Sequence, residues 1–183
     1  MSIQLTNEQL SAVKMMQDNK IGVLTGGPGT GKTTTIKEIL VWANREKYCT
    51  SLCAPTGKAA KRMSETTGEL AETIHRTLGA QMGPNGFEFS ANETNPLFAN
   101  LLVVDELSMV TNNLMADLLR AVNISRTKVL LVGDHGQLPS VGPGAVLRDI
   151  LASKCLPHVE LTKIHRNSGE IVKACHAINR GEI

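Results

Sequence analysis

The stretch Thr25-Gly26-Gly27-Pro28-Gly29-Thr30-Gly31-Lys32-Thr33-Thr34-Thr35 restricts the possible folds of this chain more than any other. It fits the pattern G-x-x-x-x-G-K-[ST], with Gly26 and Gly31 as the fixed glycines, Lys32 as the lysine and Thr33 as the hydroxyl residue. Such a loop works only between a strand and a helix, and the flanks supply both. Ile21 to Leu24 is a short apolar run suited to a buried strand, and Ile36, Ile39, Leu40 and Ala43 recur at helical spacing. The glycines let the backbone bend around a phosphate and aim successive N–H groups at it, and the start of the helix adds partial positive charge. Gly27, Pro28, Gly29, Thr30, Gly31, Lys32, Thr33 and Thr34 are the expected phosphate contacts. Lys32 is expected to reach the β- and γ-phosphates of ATP, and the Thr33 hydroxyl to ligate the magnesium ion the nucleotide brings.

Two later loops are suited to the same nucleotide. Leu101-Leu102-Val103-Val104 reads as a strand buried on both faces, and it ends in Asp105-Glu106. In open α/β sheets ligands bind outside the carboxyl ends of the strands, which puts both acids beside the phosphate loop. Asp105 suits a magnesium ligand and Glu106 suits the base that orients and deprotonates the attacking water. Lys128 to Val132 is another apolar strand, followed by Gly133-Asp134-His135-Gly136-Gln137-Leu138-Pro139-Ser140-Val141-Gly142-Pro143-Gly144, too rich in turn formers to remain sheet. Its position brings Gln137 toward the γ-phosphate, while Pro139 to Pro143 form part of a neighbouring surface. Further on, Arg166 is a candidate arginine finger, since a fixed guanidinium stabilises charge developing on that phosphate.

The remaining segments carry more than one reading. Thr6 and Gln9 form a capping box at the start of a helix whose Leu10, Val13 and Met16 share a face. The Gln9 amide serves the cap or, just ahead of a phosphate loop, the edge of adenine. Thr50 to Ala54 is a second short strand, followed by a helix over Pro55 to Met63 with Ala59, Ala60 and Met63 inward and Lys58, Lys61 and Arg62 outward. Thr56 and Lys58 at its start suit a phosphodiester backbone or simply a solvated charged face. Glu72 to Gly79 reads as a short helix, whose His75 is either structural or placed to meet a base or phosphate. Gly83-Pro84-Asn85-Gly86 is a strong turn, and with Phe87-Glu88-Phe89 it predicts a small hairpin projecting from the domain.

Strands alternating with amphipathic helices predict a three-layer α/β domain with a mainly parallel sheet, and 183 residues suffice for one such domain. The formal charge of +2 argues neither for nor against a nucleic-acid partner. Cys49, Cys53, Cys155 and Cys175 form no C-x-x-C pair and have no histidines at zinc spacing. Cys53 and Cys175 read as small buried hydrophobes in a reducing compartment. No stretch has the length of a membrane span or the order of a signal peptide, so the expectation is a cytoplasmic protein with no membrane partner.

Taken in order, Leu5 to Gln9, Gly26 to Thr33, Ala54 to Ala60, Thr73 to Arg76, Val104-Asp105-Glu106-Leu107-Ser108-Met109, Gly133 to Leu147 and Leu161 to Gly181 resemble superfamily 1 DNA helicases. The resemblance is to the RecD-type group that includes the alpha subunit of exodeoxyribonuclease V. It spans essentially the whole chain, and the run Gln137 to Gly144 is far more specific than a phosphate loop alone.

The resemblance implies a P-loop NTPase of RecA-like fold, 1–183, with 80–100 as the short pin that meets a duplex junction. It implies that Gln9 reads adenine, that Gln137 and Arg166 contact the γ-phosphate region, and that Lys32, Asp105 and Glu106 carry catalysis. Single-stranded DNA is then expected along Pro55, Thr56, Lys58, His75, Arg76, Pro139 and Val141. ATP hydrolysis would drive 5′ to 3′ movement and duplex unwinding, with a second RecA-like domain of the parent chain completing the site and nuclease or helicase subunits as further partners. Gly136 stands where the family has an acid, His165 where it has an aromatic residue, Asn167 where it has glutamine and Thr77 where it has leucine. Two rival classes are a non-motor, ATP-gated module that grips DNA or a protein, and a P-loop phosphotransferase. The first would tolerate loss of Glu106, and the second would hydrolyse ATP indifferently to DNA.

Overall fold

A computed structural model describes residues 5–84, 86–137 and 144–164. In chain order the elements are α1 (Asn7–Asp18), β1 (Ile21–Gly26), α2 (Lys32–Arg45), β2 (Thr50–Ala54), α3 (Gly57–Thr67), β3 (Ala71–Thr73) and α4 (Ile74–Thr77). They continue with β4 (Ala80–Gly83), β5 (Gly86–Phe89), β6 (Leu101–Val104), a 3-10 turn over Leu107–Met109, α5 (Asn112–Arg120), β7 (Lys128–Gly133), α6 (Val146–Ser153) and β8 (His158–Leu161).

Side-chain alternation builds the three layers. Leu101 and Val103 of β6 face a core with Met16, Ile36, Ile39 and Met63, from α1, α2 and α3. Leu102 and Val104 face the opposite core with Ile74, Leu107, Met115 and Leu118. Both faces of this strand are sealed, so each of its leucines contributes roughly 1.5–3 kcal/mol by leaving water. The sheet runs in the order β3-β2-β6-β7-β1-β8. Every pairing in it is parallel. All of its strands therefore end on one edge, and the loops leaving that edge are neighbours in space.

The predicted hairpin forms outside this sheet, with Ala80 opposite Phe89 and Met82 opposite Phe87. Its exposed Met82 and Phe87 project from the domain. The ring of His75 packs against it, 5.1 Å from Phe87 and 6.0 Å from Phe89 between centroids.

Two local expectations are corrected. The buried face of α1 is Gln9, Ala12, Met15 and Met16, while Leu10 is 51% exposed. Both stripes have helical spacing, and contact with β8 and α2 selects the first. The segment expected as one helix from Glu72 is split, because Ala71–Thr73 pairs with Leu52–Ala54 and only Ile74–Thr77 turns. Thr73 makes the break, capping α4 by accepting from the Arg76 N–H at 3.2 Å. Thr77 Oγ1 is, among the described residues, a buried oxygen with no hydrogen-bond partner. A leucine at that position would leave nothing unpaired.

Candidate active site at the strand ends

The phosphate loop leaves the C-terminal end of β1, which is flanked by β7 and β8. Gly31, the N-cap of α2, sits at φ 92°, ψ 22°, a left-handed conformation that glycine accepts and other side chains resist. No side chain caps this helix, so its first N–H groups remain open to an anion. The loop is braced from within: Thr30 Oγ1 donates to the Gly27 carbonyl at 2.8 Å and Thr35 Oγ1 to that of Gly31 at 3.0 Å. Thr30 is buried beneath the loop and is not among the residues that line the cleft. The Lys32 ammonium donates to the carbonyls of Gly26 and, at 3.1 Å, of Gly27, curling over the hollow that the loop encloses.

A cleft of about 280 Å³ opens there, and three strand ends meet in it. The phosphate loop contributes Gly27, Pro28, Gly29, Gly31, Lys32, Thr33 and Thr34, β6 contributes Asp105 and Glu106, and β7 contributes Gln137. Glu106 has φ 54° and ψ 43°, a left-handed backbone that costs about 1–3 kcal/mol in a residue with a side chain. Its N–H donates to Asp105 Oδ1 at 2.8 Å, which fixes the first acid while the strained turn re-aims the second.

Gln9 meets the site from α1. Its Oε1 accepts from Thr6 N–H at 2.9 Å and its Nε2 reaches the Gly31 carbonyl at 3.5 Å. The capping box and the contact with the phosphate loop are thus made by one amide, itself 3% exposed.

Burial pushes the Asp105 carboxyl above its ordinary range; the Glu106 N–H pulls it down, the Glu106 charge adds to the rise, and the charges of Lys32 and Arg62 oppose it. A raised folded-state value means that this group's contribution to stability is intact below the ordinary carboxylate range and is lost as pH climbs through the folded value. Asp105→Asn should therefore raise the thermal midpoint at neutral pH, since asparagine carries no charge to be buried. Thermal melts across pH check this, and the gap between variant and wild type should close as pH falls below 4, where both are uncharged.

The DNA-contact candidates lie on the same edge. Pro55, Thr56 and Lys58 follow the end of β2, and His75 and Arg76 follow β3, its neighbour in the sheet. Lys58 and Arg76 are exposed. Thr56 accepts from the Ala59 N–H at 3.2 Å as N-cap of α3, and Arg76 pairs with Glu72 at 2.8 Å. Pro139, Val141 and Arg166 lie outside the described residues.

Several partners have no signal in the sequence. Ser108 Oγ donates to Gln137 Oε1 at 3.1 Å, tying the loop after β7 to the acids after β6. His135 Nδ1 lies 3.2 Å from Thr25 Oγ1 in β1, and its Nε2 lies 3.7 Å from Glu160 in β8. Glu8 accepts from Thr162 Oγ1 at 2.6 Å and Thr162 N–H at 2.9 Å, and these bonds hold its carboxyl below the ordinary range. Each of these contacts joins segments far apart in the chain, so no local spacing announces it. Cys53 is buried and its thiol is pushed up to about 12, as expected for a small inert hydrophobe. Among the described residues no helix is long and apolar enough to cross a membrane.

A family model described as an AAA domain matches residues 4–183. The ATP-dependent RecD2 DNA helicase of Deinococcus radiodurans is 43% identical over 180 residues, covering 97% of this chain and 24% of that protein. The RecBCD enzyme subunit RecD of Mycolicibacterium smegmatis is 38% identical over 199 residues, covering 96% of this chain and 36% of that protein. The chain thus spans 24% and 36% of the lengths of these two relatives. A crystal structure of Bacteroides Pif1 bound to ssDNA superposes with a TM-score of 0.70 at 26% identity, covering 100% of this chain and 47% of that one.

Proposed function

Because the chain belongs to the AAA domain family over residues 4–183, we propose that it is the first RecA-like ATPase motor domain of a longer RecD-type DNA helicase. In that protein it couples ATP hydrolysis to 5′ to 3′ movement on single-stranded DNA and to duplex unwinding. One observation carries the reading: the nucleotide cleft and the DNA-contact candidates occupy adjacent strand ends of a single sheet edge. A motor needs that proximity, because loss of the γ-phosphate must be felt at the DNA.

The named residues divide the work. The loop N–H groups and Lys32 hold the phosphates. The metal is magnesium, held by Thr33 and Asp105. Their oxygens suit a hard cation, and among the described residues one oxygen of Asp105 accepts from a protein donor, the Glu106 N–H. Among the described residues no cluster of three acids, histidines or cysteines would bind a metal alone, so the ion arrives with the nucleotide, whose charge it helps to neutralise. Glu106 orients the attacking water and takes its proton. Gln137, steadied by Ser108, faces the γ-phosphate, and Arg166 supplies a finger. Gln9 reads adenine when its amide turns from Gly31.

DNA lies across Pro55, Thr56, Lys58, His75 and Arg76, with Pro139 and Val141 continuing the path, and the hairpin of β4 and β5 acts as a short pin. A second RecA-like domain of the parent chain covers the cleft from the other side. Nuclease or helicase subunits are further partners, and the setting is cytoplasmic.

Amide hydrogen exchange on this chain tests the reading, with magnesium and a non-hydrolysable ATP analogue, with and without oligothymidine. Nucleotide should protect 26–35 and 105–106, and oligothymidine should protect 55–62 and 73–79, less strongly as salt rises. Protection by nucleotide alone would overturn the DNA half, and protection by neither would overturn the whole.

A further inference from the structure

Arg62 is exposed, as its charge pattern predicts, and it also lines the nucleotide cleft. That pattern puts Lys58, Lys61 and Arg62 of α3 outward, and Lys61 does face away, 3.9 Å from Glu65. Arg62 joins Ala59, Met63 and Thr66 along the flank of the helix that walls the cleft. Those positions follow the i, i+3, i+4 spacing of a single helix stripe, so the packing of Ala60 and Met63 into the core turns Arg62 toward the nucleotide.

Among the described residues the guanidinium donates no hydrogen bond. Among the described residues no carboxylate lies within ion-pair distance of it, and the side-chain hydrogen bond at Arg62 uses its backbone carbonyl, which accepts from Thr66 Oγ1 at 2.7 Å. Its charge nevertheless reaches Asp105, alongside that of Lys32. Arg62 lines the same cleft as Asp105 and Glu106. A planar fork of donors that lacks a carboxylate is matched in shape and charge by phosphate oxygens.

On the premise of the nucleotide site above, we propose that Arg62 is a second phosphate-binding cation of the cleft, contributed by this domain itself and directed at the γ-phosphate of a bound nucleoside triphosphate. Lys32 serves the β- and γ-phosphates from the loop, and Arg62 closes on the terminal group from the helix wall. The same helix begins at Thr56 and Lys58, so one rigid element connects the terminal phosphate to the DNA-contact candidates.

Titrations of this chain with magnesium and either a fluorescent non-hydrolysable ATP analogue or fluorescent ADP separate the possibilities. Arg62→Ala should weaken the triphosphate analogue by about tenfold or more, the effect of losing hydrogen bonds to a charged group. ADP should weaken by less than about threefold, since the Lys32 interaction remains. Arg62→Lys should fall between, because lysine keeps the charge without the fork, and this milder variant guards against a folding defect in the first. Equal losses for the two nucleotides, or none, would overturn the assignment of Arg62 while leaving the nucleotide site standing. A wild-type chain that binds neither nucleotide would overturn both.

Discussion

Glutamine in place of Glu106 should lower ATP turnover by about 10²–10⁴-fold, the range a positioned general base contributes. Nucleotide affinity should stay within about twofold, because the substitution removes no hydrogen bond to the ligand. The expectation rests on the backbone as much as on the carboxylate. Glu106 occupies a left-handed conformation at the start of a 3-10 turn, and its N–H braces Asp105. Glutamine matches glutamate in size and leaves both features alone, so what disappears is the ability to accept a proton from water. Single-turnover phosphate release measured beside equilibrium nucleotide binding reads the two quantities separately. Undiminished turnover would remove Glu106 from the chemistry and favour an ATP-gated clamp over a motor.

Lys32→Ala is the second large effect, and it acts on binding. The ammonium already donates to the carbonyls of Gly26 and Gly27, so it sits over the hollow and needs only to exchange carbonyl oxygens for phosphate oxygens. Each charge-assisted hydrogen bond contributes about 1.5–3 kcal/mol, and removing the ammonium should weaken nucleotide affinity by about a hundredfold. Folding should be nearly unaffected, since the loop keeps its internal bonds through Thr30 and Thr35. A fluorescence titration of this chain with a nucleotide analogue, paired with a thermal melt, checks both statements. Affinity within about threefold of wild type would contradict the placement of phosphate in this loop.

Both substitutions fall on residues that the order of amino acids makes legible, for a simple reason. The phosphate loop is a local device: eight consecutive residues contain the bend, the donors and the helix start. The capping box at Thr6 and Gln9 is local too, and it forms as the spacing predicts. Doubly buried strands such as Leu101–Val104 declare themselves because every residue in them leaves water. From such pieces the three-layer sheet and the converging acids follow by general rules of α/β folds.

What is illegible depends on neighbours supplied from elsewhere. Leu10 and Gln9 both lie on plausible helical stripes, and only the docking of α1 on β8 and α2 decides which is buried. Ala71–Thr73 is too short to read as a strand, and it becomes one because β2 offers an open edge. Ser108 finds Gln137, His135 finds Thr25, and Glu8 finds Thr162 across separations of 29, 110 and 154 residues. Arg62 reads as a solvated charge and is exposed, but only the docking of α3 on the sheet also puts it on the wall of the cleft.

The phosphate loop, the layering and the identity of the acids are thus written into the amino-acid order, since each is encoded within one turn or one strand. Packing across the whole chain settles the rest: which way α3 faces, which loops brace one another, and that the strand ends after β2 and β3 flank the nucleotide cleft. Those features depend on the strand order β3-β2-β6-β7-β1-β8, and strand order is a property of long-range packing, which minimises exposed apolar area over all the elements at once.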